Sequence, residues 1–381
     1  MLITTDLYGE LVLLTTPMLV ELSEVIGFAT DVFEAQDGTE ERTPLKDYAR
    51  QTLSFSSFAI KDDFAQFFNV QWGGIRKLWG VPLWSEMQKV GDVDGNFITC
   101  NTTLYDFRDN SLAVLKNGDG FQVVEISTVE ETGLQLSAAV TSTNAILMPV
   151  RVCFISGDIT RNTNGWYSTA SCDFVVIDES TVNPKTPDQY LDDDIYWFNL
   201  GYTGDTLEAK ISQNQNTLDA GIGLISQTTD WDMPTYAKDY QAVLKGRQSV
   251  VNYKNFLFRR QGRYRQFWLP TFERNLNSKS TGNVTTTLLV EIDQYKQLAD
   301  LRNHIAIKAG GAWTAHTITA SSFLSASTVS LKITPSLDKD ASTIQGISYL
   351  GLHRLDADSV TLKHQGANIV EVSVPILEIG V

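Results

Sequence analysis

Cysteine is the first shortage. Cys100, Cys153 and Cys172 are the 3 cysteines in 381 residues, too few and too widely spaced for a disulfide framework, and no Cys-x-x-Cys occurs. Cys153 and Cys172 lie in apolar strand-like text, where a free thiol acts as a small hydrophobe. Folding in a reducing cytoplasm is therefore expected. Histidine is nearly as rare. His304, His316, His353 and His364 are scattered, with no His-x-x-x-His and no Glu at metal-ligand spacing. There is no Gly-x-Ser-x-Gly elbow, and Gly118-Asp119-Gly120 and Gly310-Gly311 fail the dinucleotide pattern. The expectation is a protein with no catalytic residue, no cofactor and no metal. Cations are short too: 30 Lys and Arg against 45 Asp and Glu leave a net charge of −15. That excludes a sequence-independent grip on nucleic acid, which needs clustered cations to displace counterions. No apolar run approaches the roughly 20 residues that span a bilayer. Leu11 to Leu22 is broken by Thr15, Thr16 and Pro17, and no charged-then-apolar leader opens the text.

What remains is strand text. With 43% hydrophobic residues the chain has material for real cores, so disorder is not expected. Thr- and Val-rich alternation recurs at Leu53 to Phe55, Phe121 to Ile126, Val150 to Ile155, Phe174 to Ile177, Thr285 to Ile292, Val329 to Ile333, Val360 to Leu362 and Ile369 to Leu377. Asp37-Gly38, Asn117-Gly118 and Asn164-Gly165 punctuate it as turns. Asp92-Val93-Asp94-Gly95-Asn96 has part of a calcium loop without its closing glutamate and reads as a turn. The fold class expected is mainly β: two sandwich- or barrel-like units, each with one short helix.

The two units come from an internal repeat. A constant shift of 188 positions carries Phe68 to Phe256, Gly74 to Gly262, Lys77 to Arg265, Trp79 to Phe267, Pro82 to Pro270 and Trp84 to Phe272. Downstream, Ser111-Leu112-Ala113-Val114-Leu115-Lys116 matches Asn303-His304-Ile305-Ala306-Ile307-Lys308. Val150 to Ile155 then falls near Ile347 to Leu352, and Cys172 to Ile177 near Val372 to Leu377. A period this long is a domain duplication and not a solenoid. Residues 1–179 and 231–381 are the expected units. Residues 180–230 form a lead-in strand and a long polar loop, with Trp231-Asp232-Met233-Pro234 restarting order.

Each unit has a helix stripe ahead of the repeated strand. Asp62 or Asp63 would cap one carrying Phe64, Phe67, Phe68 and Trp72, ended by Gly73-Gly74. Val250, Tyr253, Phe256 and Leu257 form the other, ended by Gly262. Pro82 and Pro270 lack a ladder donor and belong at a strand end or sheet edge. Trp79, Trp84, Phe267, Trp268 and Phe272 are the aromatic anchors expected on these strands.

The run Phe256-Leu257-Phe258-Arg259-Arg260-Gln261-Gly262-Arg263-Tyr264-Arg265-Gln266-Phe267-Trp268-Leu269-Pro270-Thr271-Phe272 resembles a helix, Gly-Arg turn and "Phe-Trp-Leu-Pro" strand of tailed-bacteriophage tail-tip and baseplate proteins of the distal-tail type. Gly38 to Arg50 is similar to their early "Glu-x-Arg … Pro-Arg" stretch, with Ala49 in place of the proline. The first unit departs from the signature, with Gly80-Val81-Pro82 where it has Trp-Leu-Pro. The resemblance implies a structural virion protein, assembled in the host cytoplasm. Such a protein forms a ring that joins the tail tube protein to the hub or receptor-binding protein. A two-unit chain can match six-fold symmetry as a hexamer or as a trimer with pseudo-six-fold symmetry. The acidic balance would let DNA pass its lumen without adhering.

Arg259, Arg260, Arg263 and Arg265 form the one dense basic run. Three readings stay open: contacts with acids such as Asp192 to Asp194 on a neighbouring copy, stacking of nucleic acid on Tyr264 and Phe267, or cations favoured at a helix C-terminus. Asp192-Asp193-Asp194 reads as a solvated acidic run before a cation site. The tryptophans, Trp313 among them, admit a rival function in carbohydrate binding at the host surface. Their recurrence at equivalent positions favours core anchoring.

Overall fold

The computed structural model describes residues 1–15, 18–60, 72, 74–118, 120–164, 167–178, 184–197, 209–219, 221–229, 234–296, 299, 301–366 and 368–379. The chain is mainly β, and its sheets do not close into a barrel. Two α-helices lie wholly within the described residues: α1, Arg247–Arg260, and α2, Ile292–Lys296. The stripe expected on α1 is its buried face: Val250, Tyr253 and Leu257 are almost inaccessible. Phe256 meets Phe267 edge-on, with ring centroids 5.0 Å apart. The helix ends one residue before the expected glycine, because Gln261 itself turns left-handed (φ 53°) and donates to the Leu257 carbonyl at 2.9 Å. The matching helix expected before Gly73-Gly74 lies outside the described residues, apart from Trp72 and Gly74 at its end.

Both proline strands end at their prolines and occupy corresponding places. Leu78–Pro82 lies between Gly9–Leu13, parallel to it, and the long strand Gly133–Asn164, antiparallel to it; Val12 is opposite Trp79 and Val150 opposite Pro82. Phe267–Pro270 lies between Asp193–Ile195, parallel, and Ile344–Leu355, antiparallel; Asp194 is opposite Phe267 and Leu350 opposite Pro270. Gly9–Leu13 forms a hairpin with Leu2–Thr5, as Asp193–Ile195 does with Gln189–Tyr190. On the far side, Ser111–Asn117 sets Ala113 opposite Pro149, and His304–Ala309 sets Ile305 opposite Tyr349.

With Pro82 set beside Pro270, these registers allow the two halves to be compared position by position. Ala113 matches Ile305, as the sequence alignment has it. Val150 matches Leu350, three residues beyond the Ile347 expected from sequence. Cys172 faces Phe55 as Val374 faces Tyr240, so the closing strands match two residues later than expected.

One continuous run of strands joins the halves. In order it comprises Ala209–Ser212, Thr235–Lys245, Ile369–Glu378, Ser359–His364, Met18–Gly27, Arg50–Ile60, Tyr167–Val176 and the end of Gly133–Asn164, all antiparallel. The joint is the fourth pairing: Ser359 to His364 run against Gly27 to Leu22. The segment 180–230 supplies part of this sheet as well as loop. Its described residues include the Gln189–Tyr190 hairpin strand, Ala209–Ser212, and a hairpin of Asn216–Leu218 with Ser226–Thr228. Trp231 to Met233 lie outside the described residues, and order resumes in the strand that begins at Thr235.

The turn expected at Asp92 to Asn96 is instead the middle of the strand Gln88–Thr99. Gly91 and Gly95, at φ 76° and 120°, form bulges that absorb the register shifts against Val140 and Ala145. Asp92 accepts the Asn144 amide at 2.8 Å and Asp94 the Thr141 hydroxyl at 3.0 Å. The acids that imitate a calcium loop serve as cross-strand acceptors.

Trp79 and Trp268 are each no more than 2% exposed, yet they are held differently. Trp79 donates its indole N–H to the Gly74 carbonyl at 2.8 Å. The Trp268 indole nitrogen has no partner among the described residues. Truncation to Ala at either position is expected to cost about 3–5 kcal/mol. Trp79→Phe should cost more than Trp268→Phe, by about 0.5–1.5 kcal/mol, because only the former loses a buried hydrogen bond, the Gly74 carbonyl keeping the Lys77 amide at 2.9 Å. Urea unfolding of the four variants checks both the size and the ordering, and equal costs for the two Phe variants would refute the assignment.

Candidate functional site

A cavity of about 640 Å³ lies beneath the joint between the halves. Its walls come from strand Met18–Gly27 and the Thr103 to Ser111 loop of the first half and from α1 of the second. Strand alternation turns Leu22, Glu24 and Ile26 inward together, each at most 3% exposed. Helix spacing places Lys254 one turn from Val250 on the side that faces them. Two inward positions thus carry opposite charge, and the chain brings them into contact.

Lys254 Nζ lies 2.8 Å from Glu24 Oε1 and 3.3 Å from Glu86 Oε1. Arg247, at the start of the same helix, pairs with Glu86 at 2.9 Å and donates to the Leu104 carbonyl at 2.8 Å. Glu24 also accepts from Gln51 at 2.8 Å and lies 3.0 Å from His364 Nε2. A second acid extends the network inside the first half. Asp106 pairs with Arg108 at 2.9 Å and with the fully buried Arg151 at 2.6 Å. The Asp106 amide donates to Glu86 at 2.7 Å, which links the two clusters.

Burial raises the Glu24 carboxyl, but Lys254 and His364 outweigh it and hold it well below the ordinary carboxylate range. Burial is likewise overcome by Lys254 and Arg247 at Glu86, and by Arg151 and Arg108 at Asp106. Burial depresses the Lys254 ammonium; Glu24 and Glu86 more than restore it, and its pKa ends above the usual value. All four groups are charged at neutral pH. Such carboxylates are poor proton donors there; their chemistry is mutual attachment. Burial also pushes the thiols up, Cys100 to about 11 and Cys172 to about 12, with Cys153 raised further, so none is a thiolate at neutral pH.

The residues singled out from sequence fall elsewhere, on the two proline strands and their turns. Gly74 is enclosed: a Cβ there would meet Trp79 Cζ2 at 2.9 Å. Gly262 has φ 68°, and a Cβ would lie 2.5 Å from Asp358 Oδ1. Pro82 and Pro270 are buried. Trp84 stands half-buried against Phe121, Phe267 and Trp268 are core, and Phe272 packs edge-on to Trp313. Arg263 pairs with Asp358 at 3.1 Å, and Arg265 is exposed beside Tyr264. Arg259 grips Asp194 of its own chain at 2.6 Å, and Arg260 contacts the same carboxylate. This part of the basic run therefore serves the interior of the chain rather than a neighbour. Asp193 accepts from Gln266 at 2.7 Å. No group of three or more His, Cys, Asp or Glu suited to a metal occurs among the described residues. No described helix is long and apolar enough to cross a membrane.

The network Glu24, Glu86, Asp106, Arg151, Arg247 and Lys254 escaped the sequence reading because its members belong to no short motif. The available signal was a charge at an inward position: Glu24 in Leu22-Ser23-Glu24-Val25-Ile26, Arg151 in Val150-Arg151-Val152, and Lys254 on an apolar helix stripe. Comparison with known proteins adds no identity: no protein-family model matches the chain, and no curated protein is similar to it.

Lys254→Met should destabilise the fold by about 3–5 kcal/mol at neutral pH, since it strands buried carboxylates. In the wild type their folded pKa values are depressed, so the stability they confer is present above the unfolded value near 4.3 and falls as the pH drops below it. In the variant Glu24 loses Lys254 and keeps Gln51 and His364, so burial is less opposed and its folded pKa lies above that of the folded wild type. The folded variant then gains protons first, so its deficit shrinks as pH falls from 7 towards 4. Urea unfolding of both proteins across that range checks this, and a deficit independent of pH would refute it.

Proposed function

We propose that the chain is a non-catalytic structural protein of two related β-rich units that closes into a ring, at the distal end of a tailed-phage tail. There it would connect the tail tube to the hub or receptor-binding apparatus. The observation that carries this reading is the recurrence of one arrangement around Pro82 and Pro270: a parallel neighbour on one side and an antiparallel long strand on the other, with Pro82 opposite Val150 as Pro270 is opposite Leu350. The Phe-Trp-Leu-Pro text that resembles the distal-tail signature occupies that strand in the second unit. A duplicated unit suits a circular assembly because each copy presents two similar surfaces a fixed rotation apart. The rival reading, sugar binding through tryptophan, loses Trp79 and Trp268, which lie in cores.

Light scattering on the purified chain should return a mass of three or six copies, with rings in negative-stain images. Labelled antibody should decorate the tail tip of the particle that carries the gene. A chain that stays single at high concentration and binds clearly on a glycan array would transfer the case to the carbohydrate module.

A further inference from the structure

The eight joined strands consist of two sets of four. Ala209–Ser212, Thr235–Lys245, Ile369–Glu378 and Ser359–His364 correspond, strand for strand, to Met18–Gly27, Arg50–Ile60, Tyr167–Val176 and the end of Gly133–Asn164. The registers match residue by residue. Leu362 faces Val372 as Arg161 faces Ala170, and Ile211 faces Tyr236 as Ile26 faces Gln51. Within the chain the last strand of the second set pairs with the first strand of the first set, Val360 opposite Ile26 and Thr361 opposite Val25. The outermost strands of the whole run are the other two members of the same junction: Ala209–Ser212 at one end and Asp158 to Asn164 at the other. Among the described residues no strand is paired to the outer side of either, and Ala209, Lys210, Ile211, Asp158 and Thr160 are exposed.

A second feature supports the same contact. The hairpin Thr30–Glu34 with Glu40–Pro44 follows the first strand of the first set, and it docks on the second half. There Arg354 clasps Glu40 at 2.7 Å, Asp358 accepts the Thr30 amide at 3.0 Å, and Arg263 pairs with Asp358. The corresponding hairpin of the second set, Asn216–Leu218 with Ser226–Thr228, instead projects Leu218, Ile222, Leu224 and Ile225, which are 65–99% exposed. On the first half, the positions matching Arg263, Arg354 and Asp358 hold Ile75, Phe154 and Gly157. Ile75 and Phe154 are 46% and 45% exposed. Both faces have changed together from charged to apolar.

We propose that a second copy of this chain occupies both surfaces, so that the junction between the halves is repeated from molecule to molecule. The Ala209–Ser212 strand of one copy pairs antiparallel with Asp158 to Asn164 of the next, Lys210 opposite Thr160 and Ser212 opposite Asp158. The apolar hairpin lies over Ile75 and Phe154 of that next copy. The contact is head-to-tail and closes when the turn per copy divides the circle. It rests on the two-unit reading and is independent of any placement in a tail.

The test is a disulfide across the predicted pair. Thr160→Cys with Lys210→Cys, both exposed positions, brings Cα atoms to ~4.5–5.5 Å, within disulfide range. Oxidation should yield a ladder of covalent multimers on non-reducing gels. Thr160→Cys with Ser212→Cys is displaced diagonally by ~7–8 Å and should link about ten-fold less. Neither single variant nor the wild type should form the ladder. Ile222→Asp with Leu224→Asp should reduce the light-scattering mass to one copy while leaving the circular-dichroism spectrum unchanged. A multimer that forms no ladder, or links both pairs equally, would overturn this interface and leave the ring standing. A single-copy wild type would overturn both.

Discussion

The ammonium of Lys254, buried between Glu24 and Glu86, is the interaction on which the arrangement of the halves depends. It comes from helix α1 of the second half, and its two acceptors come from a strand and a turn of the first. Taking these ions out of water costs several kcal/mol each, which their attraction only partly returns. The cluster is thus a weak source of stability but a strong source of specificity. A register slip of one residue along Met18–Gly27 would turn Glu24 to the outer face and leave the buried Lys254 with Glu86 as its one remaining acid of the pair. His364, at the end of the joining strand and 3.0 Å from Glu24, fixes the same register from the other side.

The joint combines this polar lock with ordinary burial. Ile26, Phe28 and Ala49 of the first half lie in the same core cluster as Val250, Leu257, Val360 and Leu362 of the second. The two halves therefore share one core and one sheet across the boundary. Apolar area supplies most of the free energy at roughly 25 cal/mol per Å². The charges beneath it choose which of the alternative sheet pairings is reached.

Periodicity made the fold class legible. Period-2 alternation located 8 of the 28 described strands, and the shift of 188 positions set the two proline strands against each other from the amino-acid text alone. The α1 face was also legible, since Val250, Tyr253 and Leu257 are apolar at helical spacing. Bulges were not: Gly91 and Gly95 look like turn residues whether or not the strand continues through them, and only the partner strand decides. The site was illegible for a related reason. Glu24, Glu86 and Lys254 are far apart in the chain, and each alone reads as a surface charge. Arg259 and Arg260 misled in the opposite direction: a dense basic run looks like a surface for a partner, yet two of its members neutralise Asp194 nearby.

The contrast between the junction within the chain and the proposed junction between copies would follow from how each is formed. The junction within the chain joins segments that are already tethered, so its effective concentration is high and it can spend its surface on polar selectivity. A junction between copies must overcome the loss of translational and rotational freedom. Apolar surface opposing apolar surface supplies that most directly, as Leu224 and Ile222 would if set, as proposed, against Phe154 and Ile75. The same logic accounts for the polar character of the outer strand edges. An apolar edge at both ends of the sheet would invite open-ended stacking. In the proposed contact, polar text such as Asp158-Ile159-Thr160 would pair with useful strength only when the apolar hairpin beside it is also seated, which would limit growth to the one geometry that satisfies both contacts.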